Sequence, residues 1–288
     1  MWVTLALSTA LLTSFNPLLY KRILQDAEPL VVVWGVTLLA LPMLGLFTLA
    51  LTSEYPRLDS LFVLSVLSAA GLNVVAHLAS TKALKLADVS LVTPLLTFSP
   101  VFTVLISAIF LGETPSTRGM MGVGLVLVGG YWLNLSNADR LAPLKALALK
   151  PGVALVLLAG LLWAITPLLE KTAIRHTSPE SPRFAAFVAT ALLVILLTPL
   201  GVIRGRSAIG KLFLHRREWG LAALIAGSAP ILGYTAFSLG YIGYVTTLFK
   251  LSTIMTVLWG FLFLKERNLA QRLPGALVMV AGAILIAL

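Results

Sequence analysis

The chain has 288 residues, 59% of them hydrophobic and 11% charged, with no cysteine and a formal net charge of +10. A water-soluble domain carries about 25% charged residues, so this composition excludes one and describes a polytopic helical protein of the lipid bilayer. In a soluble chain the basic excess would point to nucleic acid; here it bears on topology and no nucleic-acid partner is expected, while the lack of cysteine excludes disulfides, thiolate metal sites and redox motifs.

Runs of about 20 apolar residues, each long enough to cross a bilayer, predict helices at 2–20, 30–51, 61–82, 89–111 and 117–135. The first reads as a retained helix, because Met1 is followed directly by apolar residues with no basic stretch or cleavage site. A polar linker, 136–151, separates these from helices at 152–172, 184–203, 219–239, 244–264 and 269–288. The expected fold class is therefore all-α, ten transmembrane helices in two sets of five, residues 1–135 and 152–288.

The two sets are echoes of one another. Leu11-Leu12, Pro17-Leu18-Leu19 and Lys21 return as Leu161-Leu162, Pro167-Leu168-Leu169 and Lys171. Val92-Thr93, Leu95, Ser99, Thr103-Val104-Leu105, Phe110-Leu111 and Glu113 return as Val245-Thr246, Leu248, Ser252, Thr256-Val257-Leu258, Phe263-Leu264 and Glu266. The register holds on through Gly122/Gly275 and Gly129/Gly282. A unit with an odd number of helices, duplicated head to tail, inserts its second copy upside down, the inverted-repeat architecture of many secondary transporters.

The charges test that inversion. Of the 21 Lys and Arg, fifteen fall in the loops on one side; five (Arg57, Arg118, Lys171, Arg175 and Arg183) fall on the side that holds both termini. Because positive charge stays in the cytoplasm, both termini are expected outside, in what is read as a prokaryotic inner membrane.

Lys250 stands apart from that count, well inside the ninth predicted helix, where the first copy has Thr97. An ammonium at that depth costs about 2.5–3.5 kcal/mol to insert, so it should face protein or water. It reads as a counter-charge for a substrate carboxylate or phosphate; the alternative is snorkelling toward the nearer surface. Thr246 and Thr253 share its face at helical spacing. On the fourth helix Thr93 and Thr97, and on the first Asn16, add neutral hydrogen-bonding groups, as does Thr166 before Pro167. His77, one turn after Asn73, is either a proton-coupling group or a satisfied interior histidine. Tyr234 and Tyr244, with Trp163, are candidate stacking surfaces for a ring or a quaternary ammonium, although membrane aromatics more often pack or mark the interface. Pro17 and Pro167 form a matched pair and read as hinges or binding-site backbone. Glu170-Lys171 reads as a solvated helix end, with a gate pair as the alternative, and Glu113 and Glu266 as structural caps.

Absences narrow the function. No aspartate or glutamate is expected deep in a span, which disfavours proton-driven export of lipophilic cations. There is no Walker-type phosphate loop, no His-Glu-x-x-His and no paired interior carboxylate, so neither an ATP-driven step nor a membrane hydrolase is expected, and no cofactor or metal is called for. The glycine-rich fifth and tenth helices read as close-packing surfaces, with a homodimer through them as a further use.

With Ile109-Phe110-Leu111-Gly112-Glu113 followed by Gly122–Gly130, and Phe263-Leu264-Lys265-Glu266 followed by Gly275–Gly282, the whole chain resembles the EamA-like families of the drug/metabolite transporter superfamily. That resemblance implies a ten-helix carrier with a central cavity lined by helices one, three, four, six, eight and nine, and helices five and ten outside it. It also implies cytoplasmic termini, opposite to the charge pattern. The reading reached is a secondary transporter of a small polar metabolite with an acidic group, first an amino acid or related organic acid, working by alternating access. Sugar phosphates or nucleotide sugars are the near alternative, and a flippase of lipid-linked substrates the more distant one.

Overall fold

The computed structural model describes residues 1–51, 54–86, 95–134, 151–209, 215–264 and 269–288. Its helices are α1 (Trp2–Thr13), α2 (Asn16–Ile23), α3 (Pro29–Leu51), α4 (Ser60–Leu86), α5 (Ser99–Leu111), α6 (Thr117–Asn134), α7 (Pro151–Arg175), α8 (Pro182–Ile209), α9 (Arg216–Leu239), α10 (Ile242–Phe249), α11 (Ser252–Leu264) and α12 (Leu269–Ala287). Two short strands, β1 (Arg57–Leu58) and β2 (Thr177–Ser178), pair antiparallel. Among the described residues, seven helical segments are long and apolar enough to cross a membrane, and Ser99–Leu111 and Arg272–Ala287 are shorter apolar helices. The chain is an integral membrane protein.

Three predicted helices are broken. The first divides at Ser14-Phe15, one step ahead of Asn16-Pro17. The ninth divides at Lys250-Leu251, between α10 and α11. The first copy breaks at the equivalent point: Leu95 and Leu96 are helical, Thr97-Phe98 is a turn, and α5 begins at Ser99. Two backbone bonds of the first turn recur in the second. Phe98 N–H donates to Leu95 (3.1 Å) and Val101 to Phe98 (3.0 Å); Leu251 donates to Leu248 (3.0 Å) and Ile254 to Leu251 (3.0 Å). Pro17 and Pro167, matched in sequence, are treated differently: Pro17 opens α2, whereas Pro167 lies inside an uninterrupted α7.

The chain forms two compact units, each taking a piece from either half of the sequence: Met1–Val74 with Leu169–Leu239, and Val75–Leu168 with Gly240–Leu288. In the first, α3 packs against α8 and α9, and α9 also meets α1 and α2. Trp219 of α9 is buried there against Ile23, Val32 and Val36, and the Trp34 indole donates to Thr198 Oγ1 across α3 and α8 (3.1 Å). At one end, Arg22 pairs with Glu218 (2.6 Å), His215 with Asp26 (3.2 Å) and Arg204 with Glu28 (3.6 Å). At the other, Asp59 accepts the Phe62 N–H (2.8 Å), capping α4, and meets His176 Nδ1 (2.7 Å). Those two contacts hold the Asp59 carboxyl below its ordinary pKa.

The second unit is organised by glycine. A Cβ on Gly122 would lie 2.7 Å from the Gly282 carbonyl oxygen, and one on Gly282 would lie 2.6 Å from that of Gly122. Gly129 and Gly275 stand in the same reciprocal relation, at 2.5 and 2.8 Å. As α6 advances from Gly122 to Gly129, α12 runs back from Gly282 to Gly275, so the two helices are antiparallel with backbones in close approach. The family-like Phe-Leu-Gly-Glu sequence gains a physical role here. Gly112 ends α5 in the left-handed conformation (φ 66°), and buried Glu113 accepts the Ile242 N–H at the start of α10 (2.8 Å). The second copy's Lys265-Glu266 lies outside the described residues.

Gly122→Val should destabilise the protein by about 1–3 kcal/mol through overpacking, read as a lowered melting temperature in detergent. Gly124→Ala, whose new methyl meets nothing within 4 Å, should leave it unchanged.

Candidate functional site

Within the second unit, Lys250 closes α10 and its backbone N–H donates to Thr247 (3.0 Å). Its side chain is half-buried, and Nζ donates to the Leu96 carbonyl (3.3 Å). The reason lies in the other broken helix. In an uninterrupted helix the Leu96 carbonyl would accept from residue 100, but that residue is Pro100, which has no N–H. A carbonyl freed in apolar surroundings must find another donor. The lysine of one copy supplies it to the other. Lys250 is therefore tied to backbone beside the break. An ammonium has three donors, and among the described residues no carboxylate pairs with this one.

The surrounding candidates are distributed as follows. Thr97, buried, stands at the first break with its methyl toward Gly130. Thr246 spends its hydroxyl on the carbonyls of Ile242 (2.9 Å) and Gly243 (3.2 Å), and Thr253 is half-buried in the first turn of α11. Thr93 lies outside the described residues. His77 meets the Trp163 ring edge-on, centroids 5.4 Å apart at 73°, beside a small cluster of Ala76, Ala79 and Ala159. Tyr244 is committed to packing: its hydroxyl accepts the Ser116 N–H (2.9 Å) and its ring occupies the space left by Gly119.

Thr166 repeats the logic of Lys250 on a smaller scale. Pro167 deprives the Trp163 carbonyl of its usual partner, and the Thr166 hydroxyl donates to it over 3.4 Å. α7 therefore stays continuous. The first copy has Asn16 in that place, and there the helix breaks; Asn16 Oδ1 is buried with no hydrogen-bond partner among the described residues.

In the first unit, the remaining candidates are Asn73, half-buried on α4, and Tyr234, buried on α9. The Tyr234 ring lies beside that of Phe237, centroids 6.1 Å apart. The expectation of a solvated helix end at Glu170-Lys171 is corrected. α7 runs on to Arg175, Lys171 is 4% exposed and Glu170 is half-buried. Among the described residues no group of three or more His, Asp or Glu could hold a metal.

If Thr166 serves the Trp163 carbonyl, Thr166→Val should lower stability by about 1 kcal/mol. Pro167→Ala, which restores the backbone N–H, should remove that penalty in the double variant. Additive losses in a double-mutant cycle of thermal unfolding would contradict the pairing.

The profile of the EamA-like transporter family matches residues 1–135 and 150–288. No curated protein matches the sequence. A solved structure titled "Crystal structure of protein" has the same fold, with a TM-score of 0.73 at 16% identity over 99% of this chain and 95% of that one. With nearly the whole chain matched, it belongs to the EamA-like transporter family, part of the drug/metabolite transporter superfamily, and is a membrane transporter of small molecules.

Proposed function

We propose that this chain is a secondary carrier for a small polar metabolite bearing an acidic group, an amino acid or related organic acid, moved by alternating access. The observation that carries the reading is Lys250: an ammonium inside a span, held by one backbone carbonyl, with no carboxylate partner among the described residues. Such a group is costly to keep in a membrane unless it is used. Its remaining donors suit a carboxylate or phosphate. Thr97 and Thr253, at the equivalent breaks of the two copies, supply neutral polar atoms beside it. His77 and Trp163 add an aromatic pair to the same unit. Broken helices that offer unwound backbone are the usual setting of transporter binding sites.

The architecture in this reading is ten helices as two inverted five-helix repeats, 1–135 and 152–288. Three features support it: the family profile falls on two separate stretches, the helix breaks coincide in register, and the glycine contacts between α6 and α12 are reciprocal. Those glycines are already used within the chain, so a homodimer through α6 and α12 would have to use their other faces. The charge bias places both termini outside the cytoplasm of a prokaryotic cell.

The purified protein is screened for thermal stabilisation by amino acids, dicarboxylates and sugar phosphates, followed by flux into liposomes. Lys250→Met should weaken an anionic ligand roughly 10–100-fold, the worth of a charged hydrogen bond, while Lys250→Arg retains most of it. Unchanged binding and flux of an anion in the methionine variant would exclude the assignment. A reporter fused after Leu288 should read extracytoplasmic, and a cytoplasmic signal would reverse the topology.

A further inference from the structure

The break between α1 and α2 falls inside one candidate span, Trp2–Ile23, and its local hydrogen bonds leave acceptors in excess of donors. Pro17 has no N–H to offer the Thr13 carbonyl, which in a continuous helix would accept from that residue. The next two amides do not replace it, because Leu18 and Leu19 both donate to the Phe15 carbonyl (3.1 and 3.2 Å). The donors ahead of the break are turned back into α1. Thr13 Oγ1 donates to the Thr9 carbonyl (2.8 Å), Ser14 Oγ to that of Leu11 (2.6 Å), and the Ser14 N–H to that of Ala10 (3.0 Å). Asn16 adds a second acceptor, for its Oδ1 is buried with no hydrogen-bond partner among the described residues. The second copy meets the same problem with a donor: Thr166, in the place of Asn16, serves the Trp163 carbonyl, in the place of Thr13.

We infer that the α1–α2 break is a binding site for a monovalent alkali cation, held by Asn16 Oδ1 and the Thr13 carbonyl oxygen. Acceptors buried in apolar surroundings are costly unless something bonds them. These two are both oxygen, which suits a hard cation and not a soft one. Neither α1 nor α2 carries a carboxylate, so neutral oxygens would have to bear the whole charge, and a single positive charge is the one they can hold. The C-terminal end of α1 brings the negative end of its dipole to the same place. Unwound carbonyls and half-helix C-termini are where transporters in general coordinate Na⁺. The nearest cations along the chain, Lys21 and Arg22, stand in the last turn of α2, where Arg22 is paired with Glu218 (2.6 Å). The site lies within the first compact unit and does not rest on the anion reading of Lys250, which belongs to the second.

The test is thermal unfolding of the full-length protein in detergent, with no substrate, in NaCl, KCl or choline chloride at equal ionic strength. Relative to choline, which is too bulky for the break, Na⁺ or K⁺ at about 0.2 M should raise the wild-type melting temperature by about 2–4 °C and saturate. The two salts identify which ion the site takes. Asn16→Leu, which removes the side-chain oxygen, should abolish the rise. Asn16→Asp keeps the oxygen and gives up the amide N–H groups, so it should keep the rise, as should Lys250→Met. A wild-type protein that unfolds alike in all three salts overturns the proposal. So does a folded Asn16→Leu variant that keeps the rise, or a folded Asn16→Asp variant that loses it. Were the leucine variant not to fold, Pro17→Ala supplies the Thr13 carbonyl with an N–H and should diminish the rise; an undiminished rise there would overturn the site equally.

Discussion

A carbonyl freed by proline in apolar surroundings has to be given another donor, and much of this structure follows from how that is done. Water is not at hand to bond a stranded carbonyl, and leaving it bare costs several kcal/mol. Pro100 strands Leu96, and Lys250 answers from the other copy of the repeat. Pro167 strands Trp163, and Thr166 answers from the preceding residue. The local answer lets α7 run unbroken; the distant one joins two broken helices. Lys250 thus has a structural duty: among the described residues its ammonium serves the Leu96 carbonyl.

The duplication gives these contacts their symmetry. Corresponding residues break corresponding helices, and corresponding glycines face one another across α6 and α12. The copies depart from that symmetry at particular positions: Lys250 stands opposite Thr97, Asn16 opposite Thr166, and Glu170 opposite Tyr20 in the aligned sequence.

Composition determined the membrane class and marked Lys250 as an oddity, and the Phe-Leu-Gly-Glu and glycine motifs carried the resemblance to the family that the profile match shows, because these depend on residue content and on spacing along one chain. Gly112-Glu113 was legible as a cap, though not that Glu113 would serve the start of α10 across 129 residues. The matched prolines were legible as a pair, yet only one of them stands at a helix break: Pro17 opens α2 while Pro167 lies inside α7. What only the tertiary structure decided is partnership: Lys250 with Leu96, Glu113 with Ile242, Gly122 with Gly282. The physical reason is that a bilayer is as apolar as a protein core, so the side of a helix facing lipid and the side facing protein carry the same kinds of residue. The period that marks a buried face in a soluble helix is then flat, and only packing selects which polar atom meets which.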